Sequence, residues 1–183
     1  MMADAREDEA STRIVGFAPL IGPNPRVLIL GSMPSVRSLE QGEYYAHPRN
    51  AFWRILDALG LVNGDAPYAQ RVENLKQHGV ALWDSLKACE RPGSLDAAIV
   101  LESEVANDFG AFLTRHPSIC SVAFNGAKAE DAFRRHVLPT LPTNILDRLT
   151  LLRLPSTSPA HAIPFEQKLA AWREIVRFLN PEL

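Results

Sequence analysis

The chain has 183 residues, 46% hydrophobic and 22% charged, which is enough for one sizeable core and too few for two ordinary ones. The formal net charge of -2 conceals an acidic start, where Asp4, Glu7, Asp8 and Glu9 oppose Arg6 alone; the remainder is close to neutral, which neither demands nor excludes a nucleic acid partner. Two cysteines exclude a disulfide framework, a four-cysteine zinc site and an iron–sulfur cluster. No apolar run reaches the roughly 20 residues of a membrane helix, and "MMADAREDEAS" has no apolar signal-peptide centre. A soluble, cytoplasmic, monomeric protein without cofactor or metal is expected.

Residues 1–12 read as a solvated acidic tail and 13–183 as a single domain. "PRVLILG" (25–31) is a short apolar run closing on glycine, the pattern of a buried parallel strand. "NAFWRILDALG" (50–60) sets Phe52, Trp53, Leu56 and Leu59 at helical spacing and ends on Gly60 as a C-terminal cap. "APYAQRVENLKQHG" is a second helix, "VALWD" (80–84) a second strand, and "SEVANDFGAFLTRHP" (103–117) a helix stopped by Pro117. "ICSVAFNG" (119–126) is a third strand leading into the helix "AKAEDAFRRHV", and "LTLLRLP" (149–155) a fourth, followed by "STSPAH" and a last helix, "PFEQKLAAWREIVRFL". Strands alternating with helices predict an α/β fold, a three-layer α/β/α sandwich around a central, mostly parallel four-stranded sheet. Ligands of such sheets bind outside the carboxyl ends of the strands, where the strand order reverses. The informative turns are therefore "GSMPS", "WDS", "FNG" and "LPSTSPAH".

"GSMPS" (31–35) lacks the second glycine and the Gly-Lys-Ser/Thr ending of a phosphate loop; Gly31 and Ser32 instead suggest a tight turn with backbone N–H groups facing the crevice. The five histidines show no metal-ligand spacing, and nothing in the spacing singles out Ser32 or Ser156 with His161 as a hydrolase triad. Of 19 basic residues only Lys76, Lys87, Lys128 and Lys168 are lysines, and the arginine fork suits phosphate, although GC-rich coding produces the same bias. "YYAHPRNAFW" (44–53) crowds aromatic and polar tips immediately before a helix, more than a purely structural segment needs.

Together, "GSMPS", "YYAHPRNAFW", "HGVALWDS" and "LPSTSPAH" resemble in order and spacing the uracil-DNA glycosylase superfamily, over about residues 24–180. The "AHPxNxFW" element looks like the mismatch-specific uracil/thymine branch, while "GSMP", "YYAHPRNAFW" and "STSPA" most closely resemble the hypoxanthine (deoxyinosine) branch. The four-cysteine branches do not fit. The resemblance implies a DNA partner carrying a deaminated base, which is taken out of the duplex into a pocket that stacks one face and hydrogen-bonds one edge.

It also implies roles, each with a structural alternative. Tyr45 matches the stacking aromatic, or is a packing tyrosine, while Tyr44 points elsewhere. Asn50 positions the attacking water, or caps the helix that follows. Met33 stands where other branches carry the water-activating Asp or Asn, and a thioether cannot orient water. Asp84 reads the base edge, accepting from hypoxanthine N1–H or uracil N3–H where adenine and cytosine offer only acceptors; otherwise it caps a turn. Ser32, Met33 and Asn125 belong to the base-binding set, with Asn125 and Gly126 equally able to serve as a turn. Ser156, Thr157, Ser158 and His161 form the DNA-contacting loop. His47 and His161 are further candidates to donate to a purine leaving group. Leu154 occupies the position of a catalytic histidine in some branches, which weakens the expectation of strong uracil excision. A non-catalytic DNA binder and a small-molecule hydrolase on the same scaffold are the competing readings.

Overall fold

The computed structural model describes residues 12–180, so the expected acidic tail lies, apart from Thr12, outside the described residues. In chain order the elements are β1 (Arg13–Val15), β2 (Val27–Gly31), α1 (Val36–Gln41), α2 (Phe52–Ala58), α3 (Tyr68–Gln77), β3 (Val80–Asp84), β4 (Leu86–Glu90), β5 (Val105–Ala106) and α4 (Phe109–Arg115). There follow β6 (Ser121–Asn125), α5 (Ala127–His136), α6 (Thr143–Leu146), β7 (Thr150–Leu154), α7 (Phe165–Trp172) and α8 (Val176–Leu179), with single 3-10 turns between some of them.

The central sheet has the order β3-β2-β6-β7, and every neighbouring pair is parallel. All five residues of β2 and of β6 are buried, which is why both read as unbroken apolar runs rather than alternating ones. Successive side chains still leave on opposite faces. Val27 and Ile29 pack with Phe52, Ile55, Leu56, Leu75 and Trp172 on the α2/α3/α7 side, while Leu28 and Leu30 pack with Phe109, Phe112, Leu113 and Phe133 on the α4/α5 side. These are the three expected layers. The chain moves from β2 outward to β3 and then crosses back to β6 and β7, so the order reverses between β2 and β6. The register sets Gly31 beside Asp84 and Asn125 beside Leu154, which brings all four carboxyl ends to one edge.

Several features depart from the sequence reading, among them α1 and α6, helices of six and four residues that it did not include. A small antiparallel sheet, β1-β4-β5, flanks the main one; its strands are two to five residues long and too short to show a period. The helix expected over 103–117 is split. Val105 pairs with Ala88 of β4, and Asp108 caps α4 by accepting the Ala111 N–H at 3.0 Å, so the helix starts only at Phe109. Among the described residues no helix is long and apolar enough to cross a membrane.

Trp172 joins the core to the site-bearing edge. It is fully buried, meets Phe52 edge-on at 5.9 Å, and donates its indole N–H to the Pro155 carbonyl at 2.9 Å. Trp172→Ala should lower unfolding free energy by about 3–5 kcal/mol, measured by urea denaturation.

Candidate functional site

A cleft of about 680 Å³ opens at the carboxyl edge of the sheet, across the reversal point, lined by Gly31, Ser32, Met33, Tyr45, His47, Asn50, Asp84, Asn125, Ser156, Thr157, Ser158 and His161, and also by Tyr44, which the sequence reading turned elsewhere; Gly126 and Leu154 are not among its lining residues.

The stacking candidate is held by its neighbours. Tyr44 is buried and engaged on several sides: its hydroxyl donates to the Ala18 carbonyl, its N–H donates to the Tyr68 hydroxyl, and its carbonyl accepts from the Trp53 indole. As expected, it is structural. With Tyr44 fixed, the backbone turns at Tyr45 into the left-handed region (φ 54°), the only non-glycine residue to do so among those described. That conformation costs of order 1–3 kcal/mol, and such residues concentrate at working sites. The turn lays the Tyr45 ring against Phe52, with centroids 3.9 Å apart and planes 22° from parallel. Burial, then the charge of Asp84, pushes the Tyr45 hydroxyl up, so it stays protonated. That hydroxyl is buried beside Asn125 but completes no hydrogen bond of normal geometry.

Asp84 forms the floor. It is 3% exposed, its Oδ2 has no hydrogen-bond partner, and burial, reinforced by the negative charge of Asp96 and opposed by Arg91, raises its pKa to about 7. Its backbone carbonyl is held by the Asn107 amide at 2.8 Å, so the strand end is fixed while the carboxyl tip is left open. Asp84 therefore caps no turn through Oδ2.

Asn50 does not cap α2 as expected, because the N-cap is Ala51, one residue further on; it braces the turn before the helix and faces the cleft. Its Oδ1 accepts the Phe52 N–H at 2.9 Å at the start of α2, and its Nδ2 remains unused by the described residues. His47 Nδ1 accepts the Arg49 N–H at 3.1 Å, and His161 is exposed at the rim.

Three placements differ from the roles assigned from sequence. Asn125 is bound to Thr157 at both ends of its amide: Nδ2 donates to Thr157 Oγ1 at 2.9 Å, and Oδ1 accepts the Thr157 N–H at 2.8 Å. It locks β6 to the loop after β7 while still lining the cleft. Thr157 is 1% exposed, and its carbonyl accepts the Ala51 N–H, so it faces inward and is shielded from phosphate. Met33 turns largely into a satellite core with Leu86, Cys89 and Ile99.

Sequence reasoning missed several contributors. Asp96 lines the cleft on the segment after β4, and its Oδ1 accepts the Ser32 hydroxyl at 2.5 Å. Burial of that carboxyl raises its pKa, against the Ser32 bond and the charges of Arg91 and Lys128, which lower it. Arg91 is 2% exposed and donates to the Gly93 and Pro34 carbonyls at 2.8 and 2.5 Å, clamping the segment to the "GSMPS" turn. Arg37 and Arg49 are exposed at the mouth. Lys168 reaches across from α7 to the Ser158 carbonyl at 3.1 Å. Spacing carried no signal for these residues; "RPGSLDAA" reads as a plain turn.

The family profile of the Uracil DNA glycosylase superfamily matches residues 18–180. A Hypoxanthine DNA glycosylase of Methanosarcina acetivorans is 38% identical over 115 residues, covering 62% of this chain and 72% of that protein, and one from Methanosarcina barkeri is 39% identical with the same coverage. A G/U mismatch-specific uracil DNA glycosylase of Schizosaccharomyces pombe is 31% identical over 83 residues, 45% of this chain and 25% of that protein. The solution NMR structure of a Methanosarcina acetivorans protein regarded as a candidate uracil DNA glycosylase superposes with a TM-score of 0.72 at 32% identity, covering 92% of this chain and 99% of the other. The relatives fall on the branches that the four turns resemble, and the chain belongs to the uracil-DNA glycosylase superfamily.

Proposed function

We propose that this chain is a monofunctional DNA glycosylase, a monomer with one domain over 13–183, that hydrolyses the N-glycosidic bond of a deaminated base, hypoxanthine foremost and uracil second. The observation that carries the reading is the unpaired Oδ2 of Asp84 at the floor of a cleft walled by Tyr45. A buried acceptor without a partner is costly, and a ligand N–H removes that cost. Hypoxanthine N1–H and uracil N3–H supply it, whereas the ring nitrogens at the same positions of adenine and cytosine are acceptors. When Asp84 carries a proton on Oδ2, the same atom donates to the neighbouring ring carbonyl, so the lactam edge of a deaminated base suits both protonation states.

The base enters by leaving the stack, and the Tyr45 ring, backed by Phe52, receives one face of it; such stacking is worth about 1–3 kcal/mol. The glycosidic bond breaks with its electron pair leaving on the base, and positive charge grows on the sugar. Nδ2 of Asn50 orients the incoming water or touches the reacting sugar. Arg37 and Arg49 at the mouth, with Ser156 and Ser158, meet flanking phosphates. The relatives named hypoxanthine DNA glycosylase support the choice of base.

Single-turnover incubation with deoxyinosine-containing DNA should release hypoxanthine and leave an unbroken abasic strand, read by chromatography of the freed base. Absence of release from any deaminated substrate would leave a non-catalytic binder; equal cleavage of free deoxyinosine would mean a small-molecule hydrolase. Asn50→Ala should slow excision by about 10²-fold or more while costing about 1 kcal/mol of stability from the lost hydrogen bond to the Phe52 N–H; losses confined to stability and DNA binding would reduce Asn50 to a turn brace.

Asp84 links activity to stability. A carboxyl with an unfolded pKa near 3.8 and a folded pKa near 7 destabilises the native state increasingly as pH rises through that window. Asp84→Asn should therefore raise the melting temperature at pH 8, with up to roughly 4 kcal/mol to recover, and leave it nearly unchanged at pH 4, while hypoxanthine excision falls. Melting curves at the two pH values test the sign.

A further inference from the structure

We propose that Asp96 is a catalytic residue of this site: its carboxylate is the base that takes the proton from the attacking water, held in place by Ser32 and Arg91. This rests on the glycosylase reading and deepens it.

Hydrolysis at the sugar carbon forms a C–O bond to water as the C–N bond breaks toward the base. The water must lose a proton as it adds, and a nearby acceptor must take it. The side chains lining the cleft offer few acceptors. Asn50 Oδ1 is already bound to the Phe52 N–H, which leaves that amide a donor. His47 Nδ1 is bound to the Arg49 N–H, and His161 stands at the exposed rim. Asp84 lies on the buried floor, where a carboxylate meets a base edge and water is scarce. Asp96 is the other carboxylate in the cleft. It lies on an exposed segment with its carboxyl turned inward and partly buried; one oxygen is fixed by the Ser32 hydroxyl at 2.5 Å, and the second faces the cleft with no partner among the described residues.

The surrounding construction favours a working role over a solvated turn. The β2 turn brings no carboxylate of its own, because its Met33 packs with Leu86, Cys89 and Ile99. The segment after β4 supplies one from 64 residues along the chain, and it is tied to that turn at further points. Arg91 donates to Pro34 and Gly93, and the Ser94 hydroxyl accepts the Val36 N–H at 2.9 Å. Arg91 and Lys128 on one side and Asp84, Tyr45 and Cys89 on the other complete the charged and titratable groups that act on Asp96. Once the water has added, its proton rests on Asp96 and passes through solvent to the departing base anion, so the products are neutral hypoxanthine and the abasic hemiacetal.

The test is single-turnover excision of hypoxanthine from deoxyinosine DNA across pH, with DNA binding and melting temperature measured on the same full-length variants. Asp96→Asn keeps an oxygen for Ser32 but no base; its rate should fall about 10²–10⁴-fold, with the acid limb of the pH profile abolished, DNA binding not weakened and melting not lowered, since burial already holds the Asp96 pKa up and its charge holds up that of Asp84. Asp96→Glu should recover part of the rate. Ser32→Ala is the second variant: removing the donated hydrogen bond raises the Asp96 pKa, so the acid limb should move to higher pH with a smaller loss of rate. Undiminished excision by Asp96→Asn, or a loss matched by weaker DNA binding, overturns the proposal and leaves the glycosylase reading standing. No base release by the wild-type protein overturns both.

Discussion

A side chain at residue 31 would place its first carbon 2.6 Å from Oδ1 of Asp84 and 3.1 Å from the Tyr45 hydroxyl. The first of these contacts is too close for a Cβ, so any other residue at 31 would displace the Asp84 carboxyl from its present position. With hydrogen alone at that position, an acid from the neighbouring strand and an aromatic from the following loop close over the strand end from two directions. The rest of the local architecture serves this approach. Parallel register puts Gly31 beside Asp84, and the Tyr44 anchors force Tyr45 into its left-handed turn above them.

The floor that results is electrostatically unfavourable to the empty protein. Asp84 is desolvated and faces the charge of Asp96, with Arg91 as the nearby compensating cation, itself largely buried and committed to two carbonyls. A fold under no functional demand would place an apolar residue at the end of β3, as it does one position before the end of β6 with Phe124. Retaining an acid there costs stability, and the strain at Tyr45 adds to it. Both burdens lie on the same few residues, and the core beneath them is packed with fully buried aromatic and aliphatic side chains that offset the cost. That distribution, with rigid layers below and unfavourable groups at the rim, is expected where an incoming ligand supplies the missing partner.

Most of the layered sheet was legible because buried parallel strands are continuous apolar runs bounded by turn residues, and "VLILG" and "SVAFN" are both. The helix after the second of these runs was legible from its period, whereas α1, only six residues long, was not. The β1-β4-β5 sheet was not, since Arg13–Val15 and Val105–Ala106 are too short to carry a pattern. In the site, residues at strand ends could be placed from sequence, because a strand end fixes where a side chain begins. What could not be read was which polar groups use each other up. Asn125 and Thr157 each look like free functional groups in the sequence, and only the geometry shows them bound to one another at two points. Asp96 is the converse: it looks like an ordinary turn acid until Ser32 is found holding it.

The loop after β7 shows how the same accounting leaves the right groups outward. It is tied from inside by the Trp172 indole at Pro155, the Lys168 amine at Ser158 and the Ala51 N–H at Thr157. Ser156 Oγ accepts the Ser158 N–H, and Ser158 Oγ accepts the Ala160 N–H, each at 3.2 Å. Each serine oxygen is thus occupied as an acceptor by its own turn, and each hydroxyl hydrogen remains to be donated. Phosphate oxygens only accept. A loop whose backbone is pinned and whose two serines are left as donors suits the phosphate contacts proposed for it, and the Gly126 turn beneath it, whose Cβ would come to 3.0 Å from the Ser156 Cβ, lets the loop lie close to the strand ends.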